Sequence, residues 1–267
     1  MAGPTDARLL DRAIANAATA RTRTSPNPWV GAVVVTTDGR SFDGATEPPG
    51  GRHAEVVALD AARAAGADTT GSTVAVTLEP CSHTGRTGPC ADALLAAGVE
   101  RVVVAVEDPD PNVAGRGIAR LRAAGVEVVS GTRSDAVAEQ LRPYLHHRRT
   151  GRPFVVLKLA ATLDGRTAAP DASSRWITGP DARADVHRLR AESDAVLVGA
   201  GTVRADDPEL TVRDVEGPDP RRIVLGHATP GARVHPCTEV VGEPADVLPA
   251  LGDEGVLQLL VEGGATV

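Results

Sequence analysis

Short apolar runs alternate with amphipathic segments along the whole chain. Continuous apolar runs rich in valine predict buried strands, and apolar residues spaced three or four apart predict helices. In the first half, strands are predicted at 29–37, 73–78, 101–106 and 126–129, with helices at 6–21, 53–65, 90–97, 117–124 and 135–145. In the second half, strands are predicted at 154–161, 195–199, 223–225 and 256–261, with a helix at 181–190. Short apolar strands separated by helices favour a three-layer α/β fold.

The pattern is interrupted once, at 143–153, where a basic run is followed by glycine and proline. Such a segment is typical of a linker, and strand and helix signals resume after it. We therefore predict two α/β domains, spanning residues 1–147 and 152–267.

Composition excludes several classes of protein. The 267 residues carry a net charge of −7, and the chain has no apolar run of membrane-spanning length, so we expect neither a nucleic-acid nor a membrane partner. Two of the three cysteines have a metal-binding interpretation, which indicates a reducing compartment, the cytoplasm. Cys237 has no such interpretation and is expected to be an ordinary thiol.

The clearest chemical signal is a set of zinc ligands. His53 and Glu55 are followed by Cys81 and Cys90, an order that matches the signature of zinc-dependent nucleobase deaminases. One imidazole and two thiolates leave a fourth coordination position open, as in catalytic zinc sites. Glu55 is then the predicted general acid/base. A structural zinc site is the alternative, with His83 as a fourth ligand.

The spacing of the cysteines departs from most deaminases of this kind, which have two residues between them. Here eight residues intervene, and they are polar and rich in glycine. Because this insertion contains His83 and Arg86, we expect it to contact a substrate that carries a phosphate.

Several longer motifs give the chain a close family resemblance. The segments that carry it are 27–31, 79–87, 108–117, 158–165, 173–178, 188–191, 201–208 and 261–264, with Leu210, Thr211 and Arg213. In this order they resemble the bifunctional riboflavin-biosynthesis deaminase/reductase family, and the resemblance runs from about Asp6 to the last residue.

The resemblance implies two consecutive reactions on one phosphorylated pyrimidine. The first is zinc-dependent hydrolytic deamination of 2,5-diamino-6-ribosylamino-4(3H)-pyrimidinone 5′-phosphate. The second is NADPH-dependent reduction of the ribosyl group of 5-amino-6-(5-phosphoribosylamino)uracil to ribityl. The implied folds are a three-layer cytidine-deaminase-like domain and a dihydrofolate-reductase-like α/β domain.

The resemblance also assigns roles to individual residues. His53, Cys81 and Cys90 would bind zinc, and Glu55 would move the proton. The deaminase substrate would contact Asn27, His83 and Arg86, the last of which is often lysine in the family. The reductase substrate would contact Ser174, Arg190, Leu210, Arg213 and Glu262. NADPH would contact Ala160, Trp176, Thr202, Asp206 and Gly264.

Lys158 is the only lysine in a chain with 28 basic residues. An ammonium is a compact point charge that a guanidinium does not replace in a tight site. Because Lys158 also falls within a family motif, we predict a catalytic role near the reacting ribose. Apart from the family, Arg190 and Arg213 are equally consistent with phosphate clamps and with solvated surface residues. Trp176 is consistent with a stacking face for a nicotinamide or a base and with a core position, which is the commoner case.

The C-terminal end departs from the family pattern. In the family, the glycine-rich turn that matches 262–264 leads into a loop for the cofactor phosphates, a helix and closing strands. This sequence ends at Val267. We therefore expect an incomplete reductase domain of uncertain activity, and an open sheet edge at the strand 256–261.

Two other functional hypotheses remain open from the residues. One is a zinc deaminase of a free base, nucleotide or RNA, with an inactive or unrelated C-terminal domain. The other is a non-catalytic zinc-stabilised binding module, from which a requirement for Glu55 would distinguish an enzyme. Self-association into a homo-oligomer is compatible with all three.

Overall fold

The computed structural model describes residues 3–83, 88–167 and 177–263. The chain divides into two compact units, residues 1–149 and residues 150–267. Within the described residues, no helix combines the length and the apolar character needed to cross a membrane.

The first unit has five strands and six helices among its described residues. The strands are β1 (Gly31–Val35), β2 (Ser41–Ala45), β3 (Thr73–Leu78), β4 (Arg101–Val106) and β5 (Glu127–Ser130). The helices are α1 (Pro4–Ala18), α2 (Ala54–Ala64), α3 (Cys90–Ala96), α4 (Arg116–Ala123), α5 (Ser134–Gln140) and α6 (Arg142–Thr150, which ends one residue into the second unit). The strands form one sheet in the order β2-β1-β3-β4-β5, with antiparallel pairing as far as β3 and parallel pairing beyond it.

Two glycines place helices on opposite faces of this sheet. Gly31 pairs with Ala45 and Gly44 with Ala32, so these neighbouring positions point to opposite faces. A Cβ on Gly31 would lie 1.9 Å from the carbonyl oxygen of Ala13 in α1, and a Cβ on Gly44 would lie 2.1 Å from that of Ala54 in α2. The sheet is therefore the middle of three layers, and both helices approach it closely because glycine stands beneath them.

The second unit has a parallel sheet. Its strands are β6 (Phe154–Lys158), β7 (Ala195–Gly199), β8 (Arg221–Leu225), β9 (Thr238–Val240) and β10 (Gln258–Glu262). They pair in the order β6-β10-β7-β8-β9. The helices are α7 (Pro180–Ala191), α8 (Ala200–Asp206) and α9 (Pro244–Asp253). The central strands β7 and β10 are buried and form the core.

Most predicted elements are present, but three expectations differ from the structure. The predicted linker at 143–153 is helical as far as Thr150, because Tyr144 and Leu145 are buried and hold α6 to the first unit. The strand predicted at 256–261 lies between β6 and β7 in the sheet instead of at its edge. The predicted helix at 135–145 is two helices, α5 and α6.

Candidate active sites

The three predicted zinc ligands meet at the ends of three elements of the first unit. His53 is the N-cap of α2, Cys81 follows β3, and Cys90 is the first residue of α3. The backbone N–H of Cys90 also donates to the sulfur of Cys81, at 3.3 Å. Two helix starts and one strand end therefore converge, as the sequence predicts.

The three ligand atoms lie within 4.8 Å of one another, close enough to bind one zinc ion. His53 Nδ1 lies 3.2 Å from the sulfur of Cys90 and 3.6 Å from that of Cys81. Ordinary zinc–nitrogen and zinc–sulfur bond lengths in a tetrahedron require a nitrogen–sulfur separation of about 3.6 Å. The hydrogen bond from Cys90, the strongest influence, and that from His53 lower the pKa of Cys81. This favours the thiolate form that binds metal.

Glu55 lies in the first turn of α2 and is only 3% exposed. Burial is the main reason that the pKa of its carboxyl is raised, to about 7. A carboxyl with a pKa near neutrality can both accept and donate a proton, which is the property required of a general acid/base. The protein fold therefore supports the predicted role of Glu55.

A cavity of about 400 Å³ opens beside these residues. His53, Glu55 and Cys81 line it together with Asn27 and His83, two of the predicted substrate contacts. The third predicted contact, Arg86, lies outside the described residues.

Four further residues line the cavity, and the sequence assigned them no role. We call them the second wall; they are Asp108, Asp110, Tyr144 and Arg148. The hydroxyl of Tyr144 donates to the carboxylate of Asp108, with distances of 3.0 and 3.2 Å to its two oxygens. Asp108 is buried, and burial raises its pKa. The guanidinium of Arg148 lies 3.3 Å from Asp110 and 5.1 Å from the centre of the Tyr144 ring.

The family motif at 108–117 marks part of this wall in the sequence. Tyr144 and Arg148 have no comparable signal, because they lie within 143–153, the segment predicted to be a linker, and Tyr144 also stands at the end of the predicted helix 135–145. Only the three-dimensional structure brings α6 to the cavity.

The second unit has its own cavity, of about 810 Å³. Seven of the predicted reductase residues line it: Lys158, Ala160, Arg190, Asp206, Leu210, Arg213 and Glu262. Thr202 lies on α8, outside the set of described residues that line the cavity. Ser174, Trp176 and Gly264 lie outside the described residues. His187, Arg183 and Arg233 also line this cavity and had no signal in the sequence.

A charged cluster joins three of the predicted residues. Arg190 forms two hydrogen bonds with Glu262, at 2.6 and 3.0 Å, and their side chains are 10% and 11% exposed. The ammonium of Lys158 lies 3.8 Å from the same carboxylate. Glu262 therefore holds both cations at the cavity. Because Arg190 is buried, it is not the solvated surface residue that the sequence left open as an alternative.

Comparisons with known proteins agree with this division. Residues 4–106 match the model described as the cytidine and deoxycytidylate deaminase zinc-binding region, and residues 153–267 match that of the RibD C-terminal domain. Riboflavin biosynthesis protein RibD of Mycobacterium tuberculosis H37Rv is 49% identical over 257 residues, which cover 91% of this chain and 74% of that protein. The chain belongs to the riboflavin-biosynthesis deaminase/reductase family.

Solved structures of the family have the same fold. The diaminohydroxyphosphoribosylaminopyrimidine deaminase/5-amino-6-(5-phosphoribosylamino)uracil reductase of Thermotoga maritima is 36% identical, with a TM-score of 0.91 over 97% of this chain and 81% of that one. RibD of Acinetobacter baumannii is 38% identical, with a TM-score of 0.90 over 98% of this chain and 81% of that one.

Family membership confirms the predicted fold class, a deaminase-like domain followed by a reductase-like α/β domain. It also confirms the two predicted activities, a hydrolytic deaminase and a reductase, and the two predicted cofactors, zinc and NADPH. The match over 153–267 argues against an unrelated C-terminal domain.

Proposed function

We propose that the cavity of the first unit deaminates 2,5-diamino-6-ribosylamino-4(3H)-pyrimidinone 5′-phosphate. We further propose that the cavity of the second unit reduces the ribosyl group of the product, 5-amino-6-(5-phosphoribosylamino)uracil, with NADPH. The functional domains would span residues 1–147 and 152–267. The cytoplasm is the proposed location, because its reducing conditions keep the metal-binding thiols free.

The observation that carries the deaminase assignment is the position of Glu55. It is a buried carboxyl that lines the same cavity as His53 and Cys81, the two described ligands that also face the cavity. His53, Cys81 and Cys90 would hold zinc, which when bound acts as a Lewis acid and makes water nucleophilic at neutral pH.

Proton transfer is the task of Glu55. Its carboxylate would take a proton from the attacking water and deliver it to the ring nitrogen next to the reacting carbon. It would then return a proton to the departing amino group. The carbon–nitrogen bond breaks, and a carbonyl replaces the amine. One proton of the water is then on the ring nitrogen, and the other leaves with the amino group as ammonia.

The walls of the cavity would orient the pyrimidine. Asp108, when ionised, offers only hydrogen-bond acceptors, which suit the amino groups of the substrate. Asn27 offers both donors and acceptors to the ring, and His83 lies at the exposed part of the cavity, where the phosphate of the substrate would enter. Arg86 is proposed as a second phosphate contact on the family resemblance alone.

In the second unit, Lys158 is proposed as the group that donates a proton near the reacting ribose, held in place by Glu262. The pair of Arg190 and Glu262, with Leu210 and Arg213, would contact the ribosyl phosphate, together with Ser174. NADPH would lie along Ala160 and Asp206, with Trp176, Thr202 and Gly264 as further contacts.

Substitution of Glu55 tests the deaminase assignment. Glu55→Gln keeps the size of the side chain but cannot accept a proton, so we expect bound zinc at the wild-type level and a loss of deamination of at least about a hundredfold. Product mass after incubation with zinc, NADPH and the diaminopyrimidinone ribosyl phosphate reports both reactions. Amine replaced by oxygen shows deamination, and two added hydrogens show reduction.

Glu139→Gln is the matched control, because Glu139 is a 65% exposed carboxylate on α5. It should leave both reactions unchanged. Wild-type deamination by a zinc-loaded Glu55→Gln protein would overturn the catalytic role of Glu55. An unchanged substrate with zinc-loaded wild-type protein would overturn the proposed substrate.

A further inference from the structure

The carboxylate of Glu79 is buried at the end of β3, with 4% of the residue exposed. Its oxygens accept hydrogen bonds from three backbone N–H groups of the segment 108–118, a loop whose last three residues are the first turn of α4. These are Asp108 at 3.2 Å, Gly115 at 2.9 Å and Ile118 at 3.1 Å. A buried carboxylate is costly unless its oxygens are satisfied, and here backbone amides satisfy it.

Glu79 also supplies the N-terminal cap that α4 lacks. Gly115, the N-cap of α4, has no side chain to accept a hydrogen bond, and the first turn of the helix contains no acidic residue. Helix starts leave N–H groups without partners and attract negative charge. Glu79 meets both requirements from another element, because it accepts from the N-cap and from Ile118 in the first turn.

Two glycines let the loop come this close. A Cβ on Gly117 would lie 1.8 Å from the carbonyl oxygen of Pro80 and 3.3 Å from Glu79 itself. Gly115 has a φ of +79°, in the left-handed region that favours glycine. The chain therefore wraps around the Glu79 carboxylate, and it does so with the backbone rather than with side chains.

The loop that Glu79 holds forms part of the second wall of the deaminase cavity. Asp108, Asp110 and Val113 lie on this loop and line the cavity, as do Glu79 itself and Cys81, two residues after it. Within the loop, the side chain of Asp108 accepts from the N–H of Asp110. A shift of the loop relative to Cys81 would thus move the substrate wall relative to the metal site.

We propose that Glu79 is a positioning residue for substrate binding. It fixes the loop 108–118 against the strand end that carries the metal ligand Cys81. The proposal rests on the assigned deaminase function for its kinetic test. Glu79 has no place among the ligand atoms, since the hydrogen bonds described for its carboxylate go to backbone amides.

Glu79→Gln tests this role. The variant replaces one acceptor oxygen with an amino group that faces N–H donors, so at least one hydrogen bond is lost. We expect KM for the diaminopyrimidinone ribosyl phosphate to rise between about tenfold and a hundredfold, with a smaller change in kcat and unchanged zinc content. Amide hydrogen exchange at Gly115 and Ile118 should accelerate by a similar factor.

Asp6→Asn is the matched control. Asp6 is equally buried, at 4% exposure, and accepts from Arg101 and from a backbone N–H, but it lies in α1 and does not line the cavity. It should lower stability without changing KM. Glu79→Asp, which keeps the charge on a shorter side chain, should give an intermediate KM and serves if Glu79→Gln does not fold.

The outcomes separate the proposal from the function on which it rests. Wild-type KM and wild-type exchange at Gly115 and Ile118 in Glu79→Gln would overturn the positioning role. Loss of zinc together with activity would also overturn it, because Glu79 would then act through the metal site. If the wild-type protein does not deaminate, the proposed function fails, and the exchange rates at the two amides still decide whether Glu79 orders the loop.

Discussion

The hydroxyl of Tyr144 donates a hydrogen bond to Asp108 in the second wall of the deaminase cavity. It lies 3.0 Å from one oxygen of the Asp108 carboxylate and 3.2 Å from the other, and both residues are buried. Burial raises the pKa of Asp108, and hydrogen bonds from the backbone N–H of Asp110 and, to a lesser extent, from Tyr144 oppose this rise. Tyr144→Phe removes only the hydroxyl, so the pKa of Asp108 should rise further.

The size of the change follows from the hydrogen bond. The single hydroxyl proton is shared by two oxygens, so one charged hydrogen bond is lost, worth about 1.5–3 kcal/mol. Since one pKa unit corresponds to about 1.4 kcal/mol, we expect an upward shift of about one to two units. Protonation of Asp108 weakens its hydrogen bonds to the amino groups of the substrate, because the acid has a donor where the carboxylate has only acceptors. Asp108 therefore contributes to the acid limb of kcat/KM for deamination besides Glu55, whose pKa is about 7. The contribution of Asp108 should move to higher pH by that amount.

The assay is the pH profile of kcat/KM for deamination, measured for the wild-type protein and Tyr144→Phe at equal zinc content. Asp108→Asn is the control, because a side chain that does not titrate should remove the contribution of Asp108 from the acid limb. If the part of the acid limb that is lost in Asp108→Asn stays at its wild-type position in a folded, zinc-loaded Tyr144→Phe protein, the reasoning is refuted.

Two further predictions concern stability. Gly31→Ala forces a Cβ to within 1.9 Å of the carbonyl oxygen of Ala13, so we expect at least about 2 kcal/mol lower free energy of unfolding in urea, whereas Gly88→Ala, with open space around it, should cost little. Asp6→Asn should cost about 2 kcal/mol at pH 7, because Asp6 pairs with Arg101 at 2.7 Å. This pairing lowers the pKa of Asp6 in the folded state, so the stabilisation is complete above the unfolded pKa of about 3.9 and is lost as pH falls below it. A difference between wild type and Asp6→Asn that stays constant down to pH 3 would contradict the ion-pair argument.

Sequence reasoning predicted that His53, Cys81 and Cys90 lie together, because each of them carries its own local signal. His53 and Cys90 stand at helix starts and Cys81 follows a valine-rich strand, so periodicity and motif point to the same places. Glu55 is two residues from His53, and this spacing places its carboxyl beside the ligands on the first turn of α2.

The second wall of the cavity could not be predicted in the same way. Tyr144 lies in a polar helix with a basic end, whose composition is that of a linker. Its burial is a tertiary effect that arises where α6 packs against the first unit. The contacts of Glu79 are also tertiary, because they join the end of one strand to backbone amides about thirty to forty residues later.

The second unit shows a similar limit. The strand 256–261 was expected at an open edge of the sheet, yet β10 pairs with β7 on one side and on the other with β6, about a hundred residues earlier in the chain. Strand order in a parallel sheet depends on crossovers that local patterns do not encode. Short elements with weak periodicity, such as β9 and α8, were not predicted for the same lack of local signal.

Gly44, which lies beneath the start of α2, limits how far the metal ligand His53 can move. Metal–ligand distances vary by only about 0.2 Å in working sites. Any side chain at position 44 would begin 2.1 Å from the backbone of Ala54 and would push the start of α2 outward by roughly 1 Å to restore normal contact. That displacement is several times larger than the metal can absorb, and it falls on the residue directly after His53. Position 44 therefore requires glycine if His53 is to keep its place. Redesign of this pocket can change side chains in the cavity more readily than the residue beneath α2.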